Sequence, residues 1–216
     1  MRMELVKNTK YKVDNLRYNY GSYQIPEDCK NGIAIDIGCN NGCFLDQNKD
    51  FFSKIYAYEA NYFLVEKLKE KFNKDSNIEI NHAAVSNESK NILKLIKYKY
   101  NDENGSFAIL KNNTIEQWDI SELICEVESI NIESILQKCD YKIDFLKIDC
   151  ETSEYEFLLN KDLKNIKYIA IELHNQLGKE RYEELYNFIL KSHNCNQMCN
   201  FIENSNQEVL FFNKII

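Results

Sequence analysis

The sequence predicts an α/β fold, a doubly wound and mostly parallel sheet that ends in an antiparallel C-terminal strand pair. Three observations carry this. Ile33–Ile37 is apolar except for Asp36 and runs into a turn with two glycines four apart, Gly38 and Gly42, before a helical stretch. Strand-like and helix-like segments then alternate as βαβαβ, the order that builds a doubly wound sheet. Polar residues gather just beyond the carboxyl ends of the strand-like runs, where such sheets bind ligands.

Residues 1–30 are mixed and polar, with tyrosines at 11, 18, 20 and 23 and no clear period. They read as an N-terminal arm or lid, with Tyr20-Gly21-Ser22-Tyr23 as a possible cover over the glycine turn. The first strand at Ile33–Ile37 has the short apolar run of a strand buried on both faces. A short helix follows Gly42. Residues 55–58 form the second strand and end at Glu59. Asn61 caps the next helix, in which Phe63, Leu64, Leu68 and Phe72 recur at helical spacing. Residues 77–80 are the third strand, leading into His82-Ala83-Ala84-Val85-Ser86. Between 88 and 132 the pattern changes to two strands, 91–100 and 123–130. They flank a polar loop with Asn104-Gly105-Ser106 and Trp118, which reads as a β insertion. A brief helix spans 132–137. The fourth core strand, 143–149, ends in Asp149-Cys150-Glu151 and is followed by a helix over 154–160. The fifth, 167–171, ends in Glu172-Leu173-His174-Asn175. An amphipathic helix over 179–192 precedes two closing strands near 197–202 and 208–212. Asn204-Ser205-Asn206 is the turn between them, so the pair is antiparallel.

At 216 residues the chain is most simply one domain with a substantial core. A formal charge of −7 and a pI near 5.2 argue against a general polyanion-binding surface, so no nucleic-acid partner is expected. No run of about 18 apolar residues suits a membrane span. Residues 1–7 lack the apolar core of a signal peptide, which makes a cytoplasmic location the expectation. Eight cysteines contain no C-x-x-C pair and are expected to be reduced. His193, Cys195 and Cys199 have some metal-ligand spacing, but no paired knuckle completes them.

The strand-end constellation points to a nucleotide cofactor. Asp36, Gly38, Asn40 and Gly42 follow strand one, and Glu59 follows strand two, 21 residues after Gly38. An acidic side chain there can accept hydrogen bonds from ribose hydroxyls. A nicotinamide dinucleotide and S-adenosylmethionine both use this arrangement. The dinucleotide fingerprint needs a glycine where this turn has Asn40, and the helix and antiparallel strands after strand five suit methyltransferases better. Lys147 shares a face with Asp149 in an apolar strand, so it should pair with a nearby carboxylate in a positioning role.

Asp36-Ile37-Gly38-Cys39-Asn40-Asn41-Gly42 resembles the glycine motif D-x-G-A-N-x-G of the FkbM family of S-adenosylmethionine-dependent methyltransferases. Tyr58-Glu59-Ala60 is similar to the family's ribose-binding strand end, and His82-Ala83-Ala84-Val85-Ser86 to its segment beside the adenine. Residues 143–154, reading IDFLKIDCETSE, resemble I-D-x-L-K-I-D-V-E-G-x-E, and Ile171-Glu172-Leu173-His174 resembles the last block. The likeness covers roughly residues 31–175, with Cys39 in place of alanine and Thr152 in place of glycine.

The resemblance implies a Rossmann-like methyltransferase sheet over 31–216, with the β insertion near 88–132. It implies S-adenosylmethionine bound by Asp36, Gly38, Asn40, Gly42, Glu59, Ala60, Ala83 and Ala84, with Asp36 fixing the loop or meeting the cofactor's ammonium. Direct methyl transfer to a hydroxyl is expected, on a small-molecule or carbohydrate acceptor such as a sugar or glycan-linked group. Asp149, Glu151, Glu172 and His174 are the candidate catalytic residues. Asp149, Glu172 and His174 are also a candidate ligand set for a divalent cation such as Mg2+. The alternatives are an NAD(P)-dependent oxidoreductase and a nucleotide-binding module without turnover.

Overall fold

The computed structural model describes residues 16–18, 24–98, 107–110, 120–151, 153–174, 178–195 and 207–215. The described residues begin with an antiparallel pair, β1 (Leu16–Tyr18) and β2 (Gln24–Pro26), and a 3-10 turn at Glu27–Cys29. Then come β3 (Ile33–Ile37), α1 (Cys43–Asn48), β4 (Lys54–Glu59), α2 (Tyr62–Lys71) and β5 (Ile78–His82). The insertion holds β6 (Ala84–Ser86), β7 (Ile92–Tyr98), β8 (Phe107–Leu110) and β9 (Ile120–Asn131). The rest is α3 (Ile132–Lys138), β10 (Ile143–Ile148), α4 (Glu154–Leu158), β11 (Ile166–His174), α5 (Lys179–Ile189), β12 (His193–Cys195) and β13 (Gln207–Lys214).

Among the described residues the central sheet has the order β12-β13-β11-β10-β3-β4-β5. Strands β11, β10, β3, β4 and β5 run parallel, and β13 runs antiparallel to both β11 and β12. The expected α/β architecture is therefore present, including its antiparallel C-terminal pair. Side chains alternate between two faces along each strand, so each face has its own core. On one face Ile35, Ile37, Leu146, Ile148, Ile169 and Ile171 pack with residues of α3, α4 and α5. On the other, Ala34, Ile55, Phe145 and Phe211 pack with α1, α2 and the N-terminal segment. Ile25 and Cys29 are fully buried in this second core, so part of the arm is built into the domain. Tyr20-Gly21-Ser22-Tyr23 lies outside the described residues.

Several element boundaries differ from expectation for local reasons. Asn61 does cap α2, its side chain accepting from the Phe63 N–H at 3.0 Å. Phe63 itself is 61% exposed, and Val65 takes the core position beside Leu68. Leu68 and Phe72 keep their expected core positions, so the buried stripe is Val65, Leu68 and Phe72, with the first-turn aromatic left in solvent. The insertion gains a strand where a polar loop was expected: β8 pairs antiparallel with β7, and β7 with β9, while β6 pairs parallel with β9. Trp118 lies outside the described residues. The first closing strand is β12, at His193–Cys195; residues 197–202 and the turn at 204–206 are outside the described residues.

His193 is fully buried at the start of β12, with Nε2 2.9 Å from the Ile166 carbonyl and Nδ1 2.8 Å from Ser192 Oγ. Burial lowers its pKa below the ordinary 6.5, with Lys214 adding to the effect and the Ile166 carbonyl opposing it. The folded chain thus favours neutral imidazole while the unfolded chain takes up a proton below about 6.5. The contribution to stability is complete above that pH and declines as pH falls through and below it. Thermal melts from pH 8 to 5 should show this decline, and His193→Gln should flatten it.

Candidate active site

A pocket opens beyond the carboxyl ends of β3, β4 and β10, and its lining falls into four groups of residues. The first is the glycine turn. Gly38 has φ +75° and its N–H donates to the Tyr58 carbonyl at 2.9 Å. A Cβ placed on Gly38 would lie 1.8 Å from the Asp149 carbonyl oxygen, so only glycine lets β3 and β10 converge here. Asn40 also takes a left-handed backbone, with φ +47°, as asparagine tolerates. Gly42 has φ +80° but does not line the pocket. Its missing Cβ would sit 2.7 Å from Leu68 Cδ2 and 2.9 Å from Phe72 Cε2, so Gly42 serves the packing of α1 against α2.

The second stretch is the end of β4. Glu59 is 8% exposed and each of its oxygens receives one backbone N–H. Asn40 donates to Oε2 at 2.8 Å and Asn61 to Oε1 at 2.9 Å. One carboxylate therefore ties the glycine turn to the start of α2. Burial pushes its pKa up, against the pull of those two N–H groups and of Lys147. An ionised carboxylate has about four acceptor sites, so both oxygens can take a further donor from a ligand.

Third is an apolar wall formed by Ala60, Leu64, Ala83, Ala84, Val85 and Leu95. Leu95 comes from β7 and is 3% exposed, so the insertion closes one side of the pocket. The Ala60 carbonyl holds this corner together, accepting from His82 Nε2 at 3.1 Å and from Cys125 Sγ of β9 at 3.4 Å. An oxygen that can only accept fixes the His82 tautomer with its proton on Nε2.

The fourth is the end of β10, with Asp149, Cys150, Glu151 and Ser153. The buried Glu154 carboxylate turns back to accept from the Cys150 N–H at 2.9 Å, which fixes this bend. Glu151 has φ +49°, an uncommon backbone for a non-glycine residue and one that clusters at functional sites. Thr152, the position that departs from the glycine of the family pattern, lies outside the described residues.

Asp36 does not line the pocket. It is fully buried and paired with Lys147, Nζ to Oδ1 3.0 Å, while the same Nζ donates to the Gly38 carbonyl at 2.6 Å. Of the two roles expected for Asp36, fixing the loop is the one this geometry permits. Burial alone would favour a neutral Lys147, but the Asp36 and Asp149 carboxylates outweigh it and hold the ammonium above its ordinary range.

The pocket thus brings together Gly38, Asn40, Glu59, Ala60, Ala83, Ala84, Asp149 and Glu151. Glu172, half-buried on β11, is outside its lining, and His174 is placed by its backbone pairing with Gln207 of β13. The His174 side chain is outside the description. Among the described residues no three His, Cys, Asp or Glu side chains come together as a metal site, which leaves the expected divalent cation without structural support. Leu64, Leu95, Cys150 and Ser153 were not anticipated in the lining. Leu64 was legible only as an apolar helix position and Leu95 only as an apolar strand position, since periodicity does not say which neighbour a side chain meets.

The five parallel strands follow the first five places of the doubly wound 3-2-1-4-5-6 order, but an antiparallel strand, β13, lies beside β11 where an all-parallel dinucleotide fold continues in parallel. The fold is of the α/β class, with a glycine turn and an acidic strand end at the carboxyl edge of its parallel strands. The chain belongs to the methyltransferase FkbM domain family, whose model matches residues 36–205. No curated protein matches the sequence.

Solved structures similar to it include an rRNA methylase from Streptococcus thermophilus, 11% identical, with TM-score 0.52 over 88% of this chain and 92% of that one. A Methanococcus jannaschii fibrillarin pre-rRNA processing protein is 11% identical, with TM-score 0.53 over 93% of this chain and 70% of that one. Methyltransferase FkbM from Methylobacillus flagellatus KT is 14% identical with TM-score 0.49. That match covers 83% of this chain but only 42% of the Methylobacillus chain. Among the described residues no helix is long and apolar enough to cross a membrane.

Proposed function

We propose that the chain is an S-adenosylmethionine-dependent O-methyltransferase that acts on a hydroxyl of a sugar or glycan-linked acceptor. The observation that carries this reading is Glu59, a buried carboxylate at the pocket, oriented by two backbone N–H groups, with acceptor sites left for ribose hydroxyls. The alanines at 60, 83 and 84, with Leu64, Val85 and Leu95, line the pocket with an apolar wall suited to an adenine ring. Gly38 supplies the close backbone approach at the other end. S-adenosylmethionine, when bound, supplies an activated methyl group. The protein's share is to exclude water, orient the acceptor oxygen and take its proton. Asp149 and Glu151, which line the pocket, are the proposed proton acceptors, with Glu172 and His174 of β11 as further candidates. The acceptor oxygen would gain the methyl as the carbon–sulfur bond of the sulfonium breaks and the neutral thioether leaves, and Asp149 or Glu151 would take the hydroxyl proton.

The sugar class rests on family membership. The formal charge of −7 supports an uncharged acceptor over the rRNA named for two of the structural neighbours. The test is transfer of an isotopically labelled methyl group from S-adenosylmethionine to panels of glycans, sugars, catechols and RNA. Label recovered as an O-methyl ether on a sugar is the expected result. Label on RNA alone would overturn the acceptor, and turnover of NAD(P) with no methyl transfer would overturn the reaction.

A further inference from the structure

We propose that Lys147 is a positioning residue that fixes the glycine turn and the Asp149 end of β10 relative to each other. The proposal rests on the reading of the pocket as a cofactor site. Lys147 is 4% exposed in the middle of the sheet. Strand register sets Ala57, Asp36, Lys147 and Ala170 side by side across β4, β3, β10 and β11. The two alanines flank the charged pair, so small side chains leave it room on the face covered by α1. An ammonium has three N–H donors. Lys147 Nζ lies 2.6 Å from the Gly38 carbonyl, 3.0 Å from Asp36 Oδ1 and 3.9 Å from Asp149 Oδ2.

Two of these three partners, Gly38 and Asp149, line the pocket. A single nitrogen thus hydrogen-bonds the turn expected to meet the cofactor and lies at ion-pair distance from a carboxylate expected to meet the acceptor. A buried ion pair is a poor source of stability, because desolvation offsets its attraction and apolar replacements are often neutral. What the pair supplies here is geometry. The bond to the Gly38 carbonyl fixes the peptide plane of a turn whose Gly38 N–H is already held by Tyr58. At the same residue, a Gly38 Cβ would strike the Asp149 carbonyl.

Neutral double variants test this without stranding a buried charge. D36N/K147M removes both charges and the donor, whereas D36N/K147Q keeps a donor for the Gly38 carbonyl. S-adenosylhomocysteine affinity by calorimetry is read beside the melting temperature for each. The expected result is wild-type-like melting with affinity down by about tenfold or more in the Met variant, the loss of one charge-assisted hydrogen bond. The Gln variant should recover about threefold or more of that loss through a neutral bond. D36L/K147M is the second neutral pair if D36N/K147M does not fold. Affinity that stays near wild type in the neutral pairs, or is equally weak with Met and Gln, overturns the proposal. So does failure of both Met-bearing pairs to fold, since Lys147 is then structural. Failure of the wild-type chain to bind S-adenosylhomocysteine overturns the cofactor reading instead.

Discussion

Gly38→Ala is expected to abolish S-adenosylhomocysteine binding and to lower the melting temperature more than any other single change in the glycine turn. Two causes add. The backbone at Gly38 has φ +75°, which costs an alanine about 1–2 kcal/mol. The new methyl would also sit 1.8 Å from the Asp149 carbonyl oxygen and 2.9 Å from its carbon. Those are backbone atoms and have no rotamer to move into. Relief requires β3 and β10 to separate, which breaks the Asp149 N–H to Ile37 carbonyl bond of 3.1 Å and displaces the pocket. Gly42→Ala is the control. It meets the same φ penalty, but its methyl meets the ends of Leu68 and Phe72, which can shift. Melting and calorimetry on both variants should therefore rank Gly38→Ala well below Gly42→Ala.

Glu59→Ala is the second large effect, and it acts first on affinity. The substitution removes the acceptor for the Asn40 and Asn61 N–H groups at 2.8 and 2.9 Å, as well as the acceptors offered to the ligand. Hydrogen bonds to a charged group are worth about 1.5–3 kcal/mol each, so S-adenosylhomocysteine affinity should fall by about a hundredfold or more. Glu59→Gln keeps one oxygen acceptor and should fall between. Burial raises the Glu59 pKa above its ordinary 4.5, so on acidification this group protonates earlier than an exposed glutamate. The bound state needs the carboxylate as acceptor, so affinity should drop as pH falls through that raised value. The Gln variant should lack the step. An unchanged Kd in Glu59→Ala would remove Glu59 from the site.

Much of this site was legible because its residues sit at strand ends, and strand ends are readable from short apolar runs. Gly38, Glu59 and Asp149 sit at strand ends read in this way and line the pocket, whereas Asp36 and Glu172, read in the same way, lie outside its lining. The Asn61 cap was legible for the same local reason, a side-chain acceptor just before a helical stripe. Lys147 announced a carboxylate partner by being a charge in an apolar strand. Which carboxylate was not legible, because the pairing of Lys147 with Asp36 depends on the parallel register of strands more than a hundred residues apart. The role of Gly42 was hidden likewise, since its contacts with Leu68 and Phe72 are tertiary. Leu95 shows the limit most plainly. Its place in a strand-like run marks it only as an apolar strand position, while the docking of the β insertion makes it a wall of the pocket. Phe63 was misplaced because an aromatic in the first turn fits the helical spacing and can still be left in solvent.

The most direct measurement of the central claim is calorimetric titration of the wild-type chain with S-adenosylhomocysteine and, separately, with NAD. The expected result is saturable binding of S-adenosylhomocysteine at a single site, lost in Glu59→Ala, and no heat from NAD. Saturable binding of NAD with none of S-adenosylhomocysteine would contradict it.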